Sequence, residues 1–119
     1  MRADGQACGF DWIEVARGPD IVEGADGHVV TLDGVRIAIF RVSGELFAIG
    51  DECPHQRTGK LSEGWLDGTV IECPLHQACF DLRTGRNVAP PDCASARIYP
   101  VRAEDDRVLL STAPHPAQG

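Results

Sequence analysis

The sequence predicts an all-β protein, and two observations carry that prediction. Short runs rich in Val, Ile and Phe alternate with Gly and polar turn residues, which is the rhythm of strands joined by tight turns. No segment keeps apolar residues at i, i+3, i+4 and i+7 over three turns, so helix is expected to be a minor component. At 119 residues, with 43% hydrophobic and 24% charged residues, the chain fits one globular domain with a single core.

The first two predicted hairpins follow one another directly. The run HVVTL is joined to the run VRIAIFRV through Asp33 and Gly34, a pair that favours a two-residue hairpin turn. The end of that second run, AIFRV, is then joined to ELFAIG through Ser43 and Gly44. Three consecutive antiparallel strands are therefore expected.

A third hairpin is predicted near the end of the chain. It joins the run ARIYPVRA to the run RVLLS across Asp105 and Asp106. Pro100 lies inside the first of these runs, and because proline has no N–H to donate, it indicates an edge strand or a bulge.

The predicted strands are unevenly distributed. They fall in residues of about 11–50 and 96–111, whereas residues of about 51–95 are rich in turns and carry pairs of Cys and His. We therefore expect a single domain, 1–119, in which a β base holds an inserted subdomain.

Charge and composition exclude several classes of function. The formal net charge is -7, which argues against binding to nucleic acid or to an anionic membrane and suits a soluble protein that meets basic patches on partners. No stretch is long and apolar enough to span a bilayer, and the first residues lack the apolar region of a secretion signal. The odd number of cysteines, five, favours reduced thiols or metal ligands over a disulfide framework. A cytoplasmic location is expected.

Four potential metal ligands occur in two tight pairs. Cys53 and His55 form a Cys-Pro-His sequence, and after seventeen intervening residues Cys73 and His76 form a Cys-Pro-Leu-His sequence. A lone cysteine is usually a small buried hydrophobe, and a lone histidine is usually a satisfied polar residue. Two mirrored pairs, each beside a proline, indicate instead that a metal is bound.

The spacing favours two metal ions over one. Structural zinc is commonly held by pairs separated by two to five residues, so a one-residue gap with mixed donors is unusual for a single zinc ion. With two ions side by side, each loop can give its cysteine to one ion and its histidine to the other. A zinc-stabilised binding module remains the alternative at this point.

The sequences CPH and CPLH, together with LSEG and FDLRTG, resemble the cluster motif of Rieske proteins. The chain as a whole is similar to the small Rieske-type [2Fe-2S] ferredoxins of bacterial aromatic-ring-hydroxylating dioxygenase systems. The resemblance implies the Rieske fold, an antiparallel β-sandwich-like base with a cluster-binding subdomain inserted into it. It also implies one [2Fe-2S] cluster, with Cys53 and Cys73 on one iron and His55 and His76 on the outer iron.

The resemblance further predicts a low reduction potential. High-potential Rieske proteins have an additional cysteine in each cluster loop, and they have a serine and a tyrosine that hydrogen-bond the sulfurs. The matching positions here are Thr58, Leu75, Ala78 and Phe80. The disulfide therefore cannot form, and the two hydroxyl hydrogen bonds to sulfur are absent. We therefore expect a potential in the lower part of the Rieske range, about −150 to +300 mV.

The function implied is electron transfer without catalysis. The expected electron donor is an NAD(P)H-dependent flavoprotein reductase, and the acceptor is the Rieske centre of a terminal oxygenase; the carrier is expected to be a monomer. No catalytic residues are expected. Cys79 is interpreted as a bystander, Cys93 is expected to pack under a third loop, and Trp65 is expected to shield the subdomain. The alternative is the Rieske-like small subunit of an assimilatory nitrite reductase, which shares CPLH and FDLRTG.

Overall fold

The chain folds as a succession of short antiparallel strands, in agreement with the all-β prediction. A computed structural model describes residues 12–24, 26–32, 34–53, 59–74, 78–89 and 95–111, and every structural statement below concerns these residues. Within them there are two single turns of 3-10 helix, Gly18–Asp20 and Leu61–Glu63, and no α-helix. The strands are β1 (Ile13–Arg17), β2 (His28–Leu32), β3 (Val35–Val42), β4 (Glu45–Gly50), β5 (Trp65–Asp67), β6 (Val70–Glu72), β7 (Cys79–Asp81), β8 (Asn87–Ala89), β9 (Ile98–Tyr99), β10 (Val101–Glu104) and β11 (Arg107–Leu110).

The first two predicted hairpins are confirmed. Strands β2 and β3 pair antiparallel with Leu32 opposite Val35, which leaves a two-residue turn that ends at Gly34. Strands β3 and β4 pair through the turn formed by Ser43 and Gly44, where φ is 53° and 79° respectively. Two successive residues with positive φ are the signature of a type I′ turn, whose twist matches that of the strands it joins.

The third hairpin is also confirmed, and Pro100 separates two sheets. Strands β10 and β11 pair with Glu104 opposite Arg107, and Asp105 adopts a φ of 58° in the turn. Strand β9, just before Pro100, is the edge of one sheet, whereas β10, just after it, is the edge of another. Pro100 therefore lies between two edge strands, as expected, because the chain passes from one sheet to the other at this residue.

The central sheet has the order β2-β3-β4-β9, and the middle of β3 is buried on both faces of the sheet. Along β3, Ile37 and Ile39 contribute to one hydrophobic core, whereas Ala38 and Phe40 contribute to a second. Since side chains alternate between the faces of a strand, this uninterrupted apolar run supplies both cores. All four side chains are at most 1% exposed.

The two outer sheets cover the two faces of the central sheet. On one side lies a three-stranded sheet of order β1-β11-β10. In it Ile13 pairs with Leu110, so strands that are far apart in the sequence lie side by side. On the other side lies a four-stranded sheet, β5-β6-β7-β8, built entirely from residues 65–89. The segment expected to be rich in turns therefore contains a meander of three-residue strands. None of the helices in the described part of the chain is long and apolar enough to cross a membrane.

The turn between β3 and β4 is held by a carboxylate from a distant loop. Glu23 accepts hydrogen bonds from the backbone N–H groups of Gly44 (2.9 Å) and Ser43 (2.6 Å). These two bonds, together with the nearby charge of Arg41, hold the pKa of the Glu23 carboxyl below its usual value. The carboxylate thus fixes the left-handed turn to the loop that precedes β2.

The lowered pKa of Glu23 predicts a pH-dependent contribution to stability. A carboxyl whose pKa is lower in the folded state than in the unfolded state stabilises the fold above its unfolded pKa, and this stabilisation disappears as the pH falls through the folded pKa. We expect Glu23→Gln to lower the urea midpoint at pH 7 and to differ less from the wild type near pH 3. Glu45→Gln, which alters a neighbouring exposed carboxylate, is the control. An equal loss at both pH values would contradict the assignment.

Candidate metal centre

Two of the four predicted ligands, Cys53 and Cys73, lie buried in the same hydrophobic core. Cys53 follows the end of β4 by three residues, and Cys73 directly follows β6. Both side chains are 0% exposed and belong to one cluster of buried residues that includes Leu61, Ile71 and Phe80. Although they are twenty positions apart in the sequence, the fold brings the two thiols to one side of the central sheet.

Each cysteine begins a loop that its own backbone closes. The N–H of Cys53 donates to the carbonyl of Gly59 (3.0 Å), and the N–H of Cys73 donates to the carbonyl of Ala78 (2.7 Å). Most residues inside the two loops lie outside the described part of the chain, and these include His55 and His76. The complete set of four ligands therefore stays a prediction.

A buried acidic residue, Asp51, anchors the first loop to the central sheet. Its side chain is 1% exposed, and its carboxylate accepts hydrogen bonds from the guanidinium of Arg36 (2.9 Å) and the N–H of Ser62 (2.7 Å). Its backbone carbonyl also accepts from the N–H of Leu61 (2.8 Å). Asp51 thereby ties strand β3 and the 3-10 turn after the first loop to a point two residues before Cys53. Sequence reasoning missed this residue, because a single Asp after a strand carries no pattern of its own.

Two glycines support the subdomain by allowing close backbone contact. A Cβ atom on Gly64 would overlap the carbonyl oxygen of Glu72, the residue that precedes Cys73. Gly85 has a φ of 79°, and a Cβ atom there would overlap the carbonyl oxygen of Ala96. These glycines end the sequences LSEG and FDLRTG, so the structure gives a steric reason for both.

Cys79 lies on a different face of the subdomain from the two buried cysteines. It opens β7 opposite Glu72, and its side chain is only partly buried. Burial, and then the negative charges of Glu72 and Asp67, raise the pKa of its thiol. This position supports its interpretation as a bystander, whereas Cys93 lies outside the described residues.

The two positions that lack a hydroxyl are both inside the core. Ala78 and Phe80 are 0% exposed and share the hydrophobic cluster of Cys53 and Cys73. Each side chain is apolar, so neither can donate a hydrogen bond to sulfur. Neither of these two positions therefore supplies a side-chain hydrogen-bond donor to the core that contains the buried thiols.

Trp65 does not shield the subdomain. Its side chain is 59% exposed, and it stands in β5 opposite Glu72. The neighbouring Leu66 faces the core instead, opposite Ile71. The expectation of a shielding tryptophan was wrong, because the alternation of the short strand β5 turns Leu66 inward and Trp65 outward.

The described residues suit an iron–sulfur cluster. Two thiols at 0% exposure, each beginning a backbone-closed loop, provide thiolate donors in a region from which water is excluded. An apolar shell of this kind controls solvent access and thereby the redox properties of a metal group. Cys53 and Cys73 would hold the cluster on its inner side.

Comparison with known proteins agrees with this chemistry. A family model described as a Rieske-like [2Fe-2S] domain matches residues 11–111. The ferredoxin component of the naphthalene 1,2-dioxygenase system from Pseudomonas putida is 40% identical over 99 residues, which are 83% of this chain and 93% of the relative.

Two solved structures are similar to the whole fold. A chain in a complex of reduced oxygenase and oxidized ferredoxin in carbazole 1,9a-dioxygenase superposes with a TM-score of 0.79 at 30% identity; the match covers 87% of this chain and 95% of that one. A putative NADH-dependent nitrite reductase small subunit from Mycobacterium tuberculosis gives 0.77 at 25% identity, with 86% and 95% covered. The motifs, the buried thiols and the family match agree, and the chain belongs to the Rieske-like [2Fe-2S] domain family.

Proposed function

We propose that this chain is the ferredoxin component of an aromatic-ring-hydroxylating dioxygenase system. It carries single electrons from an NAD(P)H-dependent flavoprotein reductase to the Rieske centre of a terminal oxygenase. The observation that carries the proposal is the 40% identity to a dioxygenase ferredoxin over 93% of that relative's length. The chain acts as a carrier and not as an enzyme, and it works in the cytoplasm as a monomer, since transient carriers gain from small and easily released interfaces.

The ligand set of the proposal combines described and undescribed residues. Cys53 and Cys73 hold one iron from within the core, and His55 and His76 hold the outer iron. When bound, the cluster supplies a one-electron redox couple. The protein's own contribution is to exclude water from the thiolate side and to fix both loops through their closing hydrogen bonds. The domain division follows, with the base at about 11–50 and 96–111 and the cluster-binding subdomain at about 51–95.

The small subunit of a nitrite reductase is the second candidate function. Its support is the structural similarity to the Mycobacterium tuberculosis protein, whose identity to this chain is 25%. The dioxygenase ferredoxin is more similar in sequence, at 40%. We therefore favour the carrier, and the two functions differ in the partner that the chain requires.

The buried apolar side chains of Ala78 and Phe80 support a low reduction potential. We expect a midpoint in the lower part of the Rieske range of about −150 to +300 mV, measured by voltammetry at pH 7. The same preparation should be reduced by NADH through a dioxygenase-type flavoprotein reductase and reoxidised by the terminal oxygenase. A midpoint near the upper end would contradict the low potential. Failure to exchange electrons with either partner, combined with tight association with a nitrite reductase large subunit, would favour the second candidate.

A further inference from the structure

The sheet β5-β6-β7 turns one face to the core and the other to solvent. Directly opposite residues of an antiparallel pair share a face. Leu66 lies opposite Ile71, which lies opposite Phe80, and this row is packed in the core. The rows on either side therefore face outward. We call this outward surface the acidic face; it comprises Trp65, Asp67, Val70, Glu72, Cys79 and Asp81.

The acidic face carries a concentrated negative charge. Glu72 lies opposite Trp65, and Asp67 is two residues after Trp65 in the same strand, so the two carboxylates lie on the same side of the sheet. Their negative charges help to raise the pKa of the Cys79 thiol. Asp81 is paired with Arg83 at 3.2 Å. In contrast, no ion pair links Asp67 or Glu72 to a cation among the residues that the structure describes. Two carboxylates on this face are thus available to an external positive charge.

An exposed tryptophan stands directly beside these carboxylates. Trp65 is 59% exposed, and it pairs across the sheet with Glu72. Tryptophan is enriched among the residues that contribute most to protein–protein binding, because its large ring buries much area at low entropic cost. An exposed ring beside carboxylates that form no ion pair with a described residue suits a partner surface with an apolar patch surrounded by cations.

The acidic face also lies next to the predicted cluster site. Glu72 is followed directly by Cys73, whose side chain turns into the core while that of Glu72 turns outward. A protein that covered Trp65 and Glu72 would therefore sit beside the second cysteine loop. Attractive charge at such a position raises the rate of encounter and orients the partner.

We propose that the acidic face is a docking surface for a redox partner protein whose own surface presents Lys or Arg around an apolar patch. This proposal rests on the function proposed above, because the partner is one that exchanges electrons with the cluster. The proposed contact lies beside the cluster site, and it follows neither from the ligand set nor from the family assignment. The two carboxylates provide steering, and Trp65 provides the buried contact.

The test uses the holoprotein and measures second-order electron-transfer rates by stopped flow, with the flavoprotein reductase and with the terminal oxygenase. We expect Asp67→Asn/Glu72→Gln to slow the reaction with at least one partner about 3- to 10-fold at low ionic strength and to reduce its salt dependence, because exposed charges are screened by salt. The matched control is Glu104→Gln/Asp105→Asn, which removes two exposed carboxylates from the hairpin of β10 and β11, in a different sheet. It should react at nearly the wild-type rate.

Trp65→Ala separates the apolar contact from the charge. We expect this variant to slow the same reaction while it keeps the wild-type salt dependence, whereas Val22→Ala, at a site 60% exposed, should have no effect. Reduction by dithionite and the visible spectrum establish that each variant retains its cluster. Equal rates for the acidic-face and control variants with both partners would overturn the docking surface. Absence of electron transfer in the wild type would instead overturn the proposed function.

Discussion

Cys53→Ala and Cys73→Ala are each expected to purify without the visible absorption and the EPR signal of a [2Fe-2S] cluster. Both thiols are 0% exposed in one hydrophobic core, and an alanine side chain has no atom that can bind iron in place of the thiolate. Iron and acid-labile sulfide should fall to background in both variants, because thiolates are the ligands on the inner side of a Rieske cluster.

Cys79→Ala is the matched control for the ligand variants. Its thiol lies on the acidic face, opposite Glu72, and not in the core shared by Cys53 and Cys73. We expect this variant to keep the full content of iron and sulfide. His55→Ala and His76→Ala should lose the Rieske EPR signal as the cysteine variants do. Loss of the cluster in Cys79→Ala, or its retention in Cys73→Ala, would contradict the proposed ligand set, and zinc without sulfide in the wild type would contradict the cluster itself.

Asp51→Ala is expected to destabilise the protein by about 2–3 kcal/mol, because it leaves a buried N–H without an acceptor and removes a charge-assisted hydrogen bond. The N–H belongs to Ser62, which is 4% exposed. Arg36 contributes less to the cost, since its side chain is 49% exposed and can be hydrated after the change. The measurement is the free energy of unfolding in urea, followed by circular dichroism.

The variant Asp51→Asn separates the contribution of the hydrogen-bond acceptor at this position from the contribution of the negative charge. Its side-chain oxygen can still accept from Ser62, so we expect a loss of about 1 kcal/mol, the usual net contribution of one hydrogen bond. Because Asp51 lies two residues before Cys53, Asp51→Ala should also purify with less cluster than Asp51→Asn. Equal stability of Asp51→Ala and the wild type would show that the buried network does not support the first loop.

The sequence was sufficient to predict those parts of the fold that local chemistry determines. All three hairpins were predicted from two-residue turns, because only a few residues tolerate the positive φ values that such turns require. Ser43 and Gly44 have φ values of 53° and 79°, and Asp105 has 58°. The pairs of Cys and His likewise predicted a metal centre, because ligand chemistry is visible in residue type and spacing.

The remaining features depend on contacts between distant segments, which the sequence shows weakly. The pairing of Ile13 with Leu110 joins the two ends of the described chain, and no local sequence pattern predicts it. The strands β5 to β8 have three residues each, too few to establish a period of two. For the same reason the outward direction of Trp65 was not predicted.

The burial of both faces of strand β3 has a consequence for how the protein folds and unfolds. The sheet β5-β6-β7-β8 has no separate core, since it packs on Ala38 and Phe40, while Ile37 and Ile39 of the same strand support the opposite sheet. Folding and unfolding should therefore be cooperative over the whole molecule. A group bound only by the native state stabilises every part of such a unit. We therefore expect loss of the cluster to lower the stability even of the distant pairing of β1 with β11.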